Sequence, residues 1–371
     1  MTQPVMSSAV MAHPRRAVDA RRLAAELGRG TAVVFDPDPG GRPSPLRTAA
    51  RAWASCPPGS THHLVVQDDA EPARDFWPLV ERAVHSHPER VLTLYANSAS
   101  WNGSVARVAM FAGHTWVTPM TDEYFPSLAV VMPCATAHGF AEAATAAARA
   151  GEADDDEVMV RFLATQALPP LLRTPNLVEH RELASLSGWD FQGVRKAVCF
   201  QSRHLAAAVE SCAPDIPAWP RFDHRRSLLR MPSRRGRARW QTQTRSGHLA
   251  AVGLPWGAVR AAAAQVMDRL RPLPERRAAA HRLVREVYLS AFTLGFTAAV
   301  VNPDAEPLRN RTSLSDAALL SYVEGGLCRP QAVERWASRF DLLVDTAWTA
   351  LRDGARHGSR RKERACAPTP S

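Results

Sequence analysis

Short apolar runs alternate with stretches of helical periodicity through the first 150 residues, and this rhythm restricts the chain to a layered α/β fold. Apolar runs fall at 9–12, 31–35, 63–67, 91–95 and 128–132, and most close on a turn or polar signal: His13-Pro14, Asp36-Pro37-Asp38-Pro39-Gly40-Gly41, Asp68-Asp69, Pro133. Between them, residues 17–27 place Val18, Leu23 and Leu27 at helical spacing with Gly28 as the stop, and residues 45–53 follow Ser44 as an N-cap. Further helices are expected over 76–87, over the alanine-rich 137–150, and from the acidic start at 154–157 to about Gln166. Residues 97–104 read as a polar loop and 175–180 as a short extended segment. Parallel strands separated by helices make an open sheet with helices on both faces, and such sheets collect ligands at the carboxyl ends of their strands.

The character changes near residue 200. Residues 221–239 hold eight arginines (221, 225, 226, 230, 234, 235, 237 and 239), with Asp223 as their one acid, and the spacing predicts a basic loop or linker. Helical periodicity returns over 256–300, interrupted at Pro272-Leu273-Pro274, and again over 314–324 and 333–352. The expected organisation is therefore an α/β domain over 1–205, a basic loop or linker over 206–247, an α-helical domain over 248–358, and a disordered tail over 359–371. The absence of 18 consecutive apolar residues, and of a charged start followed by an apolar stretch, predicts a cytoplasmic chain with no membrane span. Six cysteines without paired spacing are expected to be idle thiols rather than a disulfide frame or a zinc site. The net charge is +10, and Lys196 and Lys362 are the only lysines. That charge suits a polyanionic partner, a nucleic acid or a phosphate polymer, or else an arginine-biased solvated surface.

Three acidic or histidine-bearing segments carry the candidate chemistry. The first, residues 62–72, is an apolar strand ending in Gln67-Asp68-Asp69; carboxylates at a strand end can hold a divalent cation against a diphosphate, and hard oxygen ligands suit Mg²⁺ or Mn²⁺. The second is Asp154-Asp155-Asp156-Glu157 at a helix start, and the third is Asn176-Leu177-Val178-Glu179-His180. In this order, over about residues 5–190, the chain resembles GT-A glycosyltransferases, particularly the lipopolysaccharide-type galactosyltransferases and their relatives.

The resemblance implies a GT-A-like sheet and transfer of a sugar from a nucleotide diphosphate sugar. Asp69 would be the principal metal ligand, with His180 on the metal or diphosphate and Asp68 a ribose or supporting contact. Asp156 or Asp155 would act as general base if the enzyme inverts. Gln67 stands where the family carries the first acid of its metal-binding element, which weakens a hard-cation site. Arg15 and Arg16 follow the first strand where the family wraps the nucleotide, Asp36 ends the second strand near the nucleoside, and Arg47 could help neutralise phosphate.

His13, His62 and His63 are read as structural, and Trp101 and Trp116 as core packing ahead of an acceptor pocket. No glycine-rich Walker loop occurs. The alternatives are a nucleic-acid-binding protein with a catalytically degenerate α/β half, and a nucleotidyltransferase, against which the missing glycine-rich activation loop counts. Sugar, acceptor, stereochemical outcome and oligomeric state stay open at this point.

Overall fold

A computed structural model describes residues 4–120, 122–184, 186, 193–202, 209–232, 240–243, 257, 260–261, 264–265 and 277–366. The chain divides into two compact units. Unit 1 comprises Met1–Asn97, Trp116–Gln192 and Phe200–Ser211; unit 2 comprises Ser98–Thr115, Gly193–Cys199 and Cys212–Ser371. The segment 98–115, which the sequence reading places inside the domain over 1–205, groups with unit 2.

Unit 1 is α/β. Its strands are β1 (Met6–Ala12), β2 (Ala32–Phe35), β3 (His62–Gln67), β4 (Ala70–Pro72), β5 (Leu92–Thr93), β6 (Trp116–Val117), β7 (Ala129–Pro133), β8 (Leu171–Arg173) and β9 (Val178–His180). Seven of them form a mostly parallel mixed sheet in the order β2-β1-β3-β7-β5-β8-β6, in which β7 and β6 run against the rest. The small ladder β4-β9 stands apart from it.

Residues of both parities along the central strands are buried. Met11, Val65, Val130 and Met132 face a cluster with Leu46, Trp53 and Phe140, while Val10, Leu64, Val66 and Val131 are equally inaccessible, so both faces of the sheet are covered. The helices are α1 (Ala17–Leu27), α2 (Pro45–Ala54), α3 (Phe76–Ser86), α5 (Cys134–Arg149) and α6 (Asp155–Leu163). Gly28, at φ 65°, ends α1, and the Ser44 hydroxyl accepts from the Arg47 amide to cap α2, as the sequence predicts.

The cysteine expectation is corrected. Cys56 and Cys134 are disulfide-bonded with their Cα atoms 6.3 Å apart, across 78 residues of sequence. They meet because Cys56 follows α2, Cys134 opens α5, and these two helices share the same core cluster.

Unit 2 begins with α4 (Trp101–Phe111), so only the first part of the expected polar loop over 97–104 is irregular. Ser100 caps the helix by accepting from the Gly103 amide, and ten of its eleven residues are buried. A three-stranded antiparallel sheet follows: β10 (Trp219–Asp223), β11 (Arg226–Pro232) and β12 (Trp240–Gln243). The basic-linker reading is thus corrected over 219–232, where Phe222, Ser227 and Leu229 are buried beneath the arginines. Arg234, Arg235, Arg237 and Arg239 lie outside the described residues, as does most of 244–276.

The last elements are α7 (Arg277–Val301), α8 (Glu306–Arg309), α9 (Ser313–Leu327), α10 (Pro330–Trp336) and α11 (Phe340–Cys366). Helix α11 continues through 359–366, where a disordered tail was expected; 367–371 lie outside the described residues. Helices α7 and α11 pack backbone to backbone. A Cβ on Gly295 would fall 1.9 Å from the Leu351 carbonyl oxygen, and one on Gly354 1.9 Å from that of Phe292. Within α7, Ala279–Val301 is long and apolar enough to cross a membrane, but 83% of its apolar window is buried in the protein, as in a core helix.

Candidate functional site

The site grows from the carboxyl ends of three adjacent parallel strands. Beyond β1, His13 caps a single 3-10 turn (Pro14–Arg16) through its ring nitrogen, which accepts from the Arg15 amide. That turn sends the Arg15 side chain toward solvent and folds Arg16 back over the sheet. Beyond β3 come Asp68 and Asp69, both buried. Arg16 Nη1 donates to Asp68 Oδ1 at 2.9 Å and to Asp69 Oδ2 at 2.9 Å, and the His13 amide donates to Asp68 Oδ2 at 3.2 Å. Of the two arginines after β1 it is therefore Arg16, rather than Arg15, that meets the acidic pair.

His180 arrives through the β4-β9 ladder. Asp69 is followed at once by β4, whose Ala70 lies opposite His180, and the Arg181 amide donates to the Asp69 carbonyl at 2.7 Å. This places His180 Nε2 3.5 Å from Asp69 Oδ2, with the ring against Tyr95 at a centroid distance of 6.4 Å. The ladder thus brings His180 next to the Asp68–Asp69 pair.

The acidic helix start reaches the same edge by two links. The Ala153 carbonyl accepts from the Leu46 amide and the Ser44 hydroxyl, which ties the turn before α6 to the start of α2. Gln67, the last residue of β3, donates from its amide nitrogen to Ser127 Oγ at 3.1 Å, and Ser127 hydrogen-bonds the Asp155 carboxylate. Asp155 is buried beside this serine. Asp156 is half-buried and accepts from the Glu157 amide at 2.8 Å. Ser127 had no role in the sequence reading; its position just before β7 was the only clue.

Burial dominates the electrostatics. It raises Asp68 to about 6, aided by the Asp69 charge and opposed by Arg16. Burial likewise lifts Asp155 to about 6, against hydrogen bonds from its own backbone and from Ser127. Asp156 is lifted to about 7, by burial first and then by the charge of Asp155. Arg16 resists the desolvation of its own charge because Asp69 and Asp68 hold it, and its guanidinium is pushed above the ordinary value.

Asp36 and Arg47 close on one another. Nε donates to Oδ1 and Nη2 to Oδ2, both at 2.9 Å, while the remaining guanidinium donors go to the Arg42 and Asp38 carbonyls. Burial would raise Asp36, but Arg47 overrides it and holds the carboxyl below its usual range. The expectation that Arg47 helps to neutralise phosphate is thus corrected: a nearly buried carboxylate needs a counter-charge, and Arg47 supplies it.

Asp69 Oδ1 is buried and makes no hydrogen bond, its other oxygen being taken by Arg16. Together with the nearby imidazole nitrogen of His180, it offers one hard and one borderline ligand, a pair that suits Mn²⁺ better than Mg²⁺. Two ligand-type atoms are fewer than a cation shell requires, and the His180 nitrogen lies nearest the Asp69 oxygen that Arg16 already holds.

No protein-family model and no curated protein matches the chain. Elsewhere, the imidazoles of His62 and His63 are structural. Burial lowers His63 to about 4, and its ring is held by Ser7 and the Ala52 carbonyl. Trp116 is core, under the Arg173 guanidinium at 5.0 Å. A cluster missed by sequence reading, Asp223, His224 and Cys328, lies in unit 2 with ligand-type atoms within 4.8 Å of one another. Asp223 is already engaged there, by Arg221 at 3.3 Å and by the Cys328 thiol at 3.1 Å.

Proposed function

We propose that unit 1 is a GT-A-like glycosyltransferase domain, moving a sugar from a nucleotide diphosphate sugar to a hydroxyl acceptor. One observation carries the reading: at the carboxyl edge of a parallel sheet, a buried acid pair, an arginine, a histidine and a second acidic segment converge, although the chain brings them from residues 16, 68, 69, 155 and 180. Asp69 and His180 would hold a divalent ion, which when bound neutralises the charge building on the leaving diphosphate.

Arg16 keeps the two carboxylates together in a water-poor setting and leaves Asp69 Oδ1 without a hydrogen bond. Arg15, exposed one residue earlier, is the arginine available to a phosphate oxygen. The Asp36–Arg47 pair shapes the rim beyond β2, on the nucleoside side. Asp156 takes the acceptor proton; its carboxyl, raised to about 7 by burial and Asp155, is matched to work near neutral pH. Asp155 positions it and is itself tied to the β3 end through Ser127 and Gln67.

The test is a panel of nucleotide sugars screened by thermal shift with and without Mn²⁺, followed by donor hydrolysis and transfer assays. A stabilising donor whose effect is lost in Asp69→Asn supports the reading. No stabilisation by any nucleotide sugar, with or without Mn²⁺, would sink it.

A further inference from the structure

The tip of the β10-β11 hairpin is built from residues that pay a conformational cost. His224 and Arg225 both sit at positive φ, 46° and 60°, which a two-residue hairpin turn demands and which asparagine or glycine would meet more easily. A non-glycine residue held there is strained, so the positions keep bulky side chains against local preference. The turn is firmly seated. The Arg225 amide donates to the Gly326 carbonyl at 2.8 Å, and the His224 amide to Cys328 Sγ at 3.2 Å. Cys328 itself ends α9 at φ 63°, sending the chain directly into Arg329 and α10.

Between this tip and the α9–α10 junction lies an open cavity of about 580 Å³. His224 and Arg225 line it from the hairpin, Arg329, Gln331 and Arg335 from the other side, and Leu327 forms part of its base. Among the described residues that line it there is no acid. The neighbouring carboxylate, Asp223, is taken by Arg221 and the Cys328 thiol. Among the described residues, the guanidiniums of Arg225, Arg329 and Arg335 form no ion pair, whereas most arginines of unit 1's site are committed to carboxylates. Arg225, Arg329 and Arg335 all line a cavity of ligand size and, among the described residues, none is neutralised by a carboxylate, which leaves their charge available to an anion. Guanidinium forks favour the paired oxygens of phosphoryl groups.

We infer that this cavity binds a small, multiply charged phosphate, of the size of a pyrophosphate or a phosphorylated metabolite, held by Arg225, Arg329 and Arg335 with Gln331 as a neutral donor. The inference stands on unit 2 alone and does not depend on sugar transfer in unit 1.

The experiment is calorimetric titration of the full chain with inorganic pyrophosphate at constant ionic strength, with sulfate as a control for simple charge. Wild type should bind saturably. Arg329→Gln with Arg335→Gln should weaken binding by about a hundredfold, and Arg225→Gln alone by about tenfold, as expected when charge-assisted hydrogen bonds are lost. These side chains are exposed, so circular dichroism and melting of the variants should match wild type. Arg16→Gln separates the two units: binding lost in that variant and kept in the Arg329/Arg335 variant would assign pyrophosphate to unit 1 and overturn the inference. Absence of saturable binding at millimolar pyrophosphate also overturns it. So does the pattern in which a short DNA duplex binds through Arg329 and Arg335 while pyrophosphate does not.

Discussion

His180 Nε2 lies 3.5 Å from Asp69 Oδ2, although the two residues are more than a hundred positions apart in the chain. The contact is made by backbone, through a three-residue ladder that starts one residue after Asp69 and ends on His180. The approach of His180 to Asp69 therefore follows from strand pairing.

Asp69→Asn should leave the fold intact and lower sugar transfer by about a hundredfold or more, because a neutral amide cannot serve as the ion's carboxylate ligand. Arg16 keeps its bond to Asp68 in this variant, which protects the local structure. Transfer rates at saturating Mn²⁺ decide the matter, and near-normal turnover removes Asp69 from the role.

Transfer should climb with pH through an apparent value near 7, the range to which burial and Asp155 raise Asp156. The base works only when deprotonated, so the acid side is the slow side. Alanine at Asp156 should abolish this limb, spare donor binding, and cut transfer by about a hundredfold. A profile flat from pH 5 to 8 would argue against Asp156, and Asp155→Ala would then be the next variant to assay.

Asp155 should make a pH-dependent contribution to stability. Its folded-state value, about 6, lies above that of an exposed aspartate, so between about pH 4 and 6 the native chain holds the proton more tightly than the unfolded one. Stability from this group is present at low pH and lost as pH rises through 6. Asp155→Asn, which stays neutral, should thus gain on wild type by about 2 kcal/mol between pH 4.5 and 8. Comparing the two proteins removes the opposing effect of His63, whose lowered value penalises acid pH in both. A stability difference that does not change with pH would contradict the assignment.

The Cys56–Cys134 bond should be countable. Thiol titration of the denatured chain should rise by two equivalents on reduction, and only in a protein that retains both cysteines. Joining two positions 78 residues apart should add roughly 2–4 kcal/mol, read as a lower melting temperature for Cys56→Ser. An unchanged thiol count on reduction would leave the two sulfurs unbonded in solution.

Local signals in the sequence reached far into unit 1. Apolar runs, Gly28 and Ser44 marked β1 to β3, α1 and α2 because each is decided by residues within a few positions of itself. The acid pair at the end of β3 was legible for the same reason. Choosing Arg16 over Arg15 was not, since it depends on how one 3-10 turn rotates two adjacent side chains. Neither β4-β9 nor the disulfide leaves a local trace, because each joins distant segments. The β10-β11 hairpin leaves no clear trace either: its period of two is one of burial, with Ser227 and Leu229 inside and Arg226, Leu228 and Arg230 more exposed, and the polar Ser227 and apolar Leu228 hide it in the sequence.

Gln67 looked like a loss from an acidic motif. In the structure its amide donates toward Ser127 and so toward the acidic helix start, a link that a carboxylate facing Asp155 could not make.

Helix α4 raises a question of timing. Its central arginine, Arg107, is fully buried, and Nε donates to the carbonyl of Ala318, 211 residues further on. A ribosome adding about 5–20 residues per second needs roughly 10–40 s to make that partner. Throughout this interval the nascent chain carries an apolar helix whose cationic side chain has no native acceptor from α9. Contacts of such long range also slow folding in general. Newly made chains would accordingly need a holding chaperone at this helix, and a ribosome stalled before residue 318 would release a product with α4 uncovered, prone to aggregate even where the sheet of unit 1 is already formed.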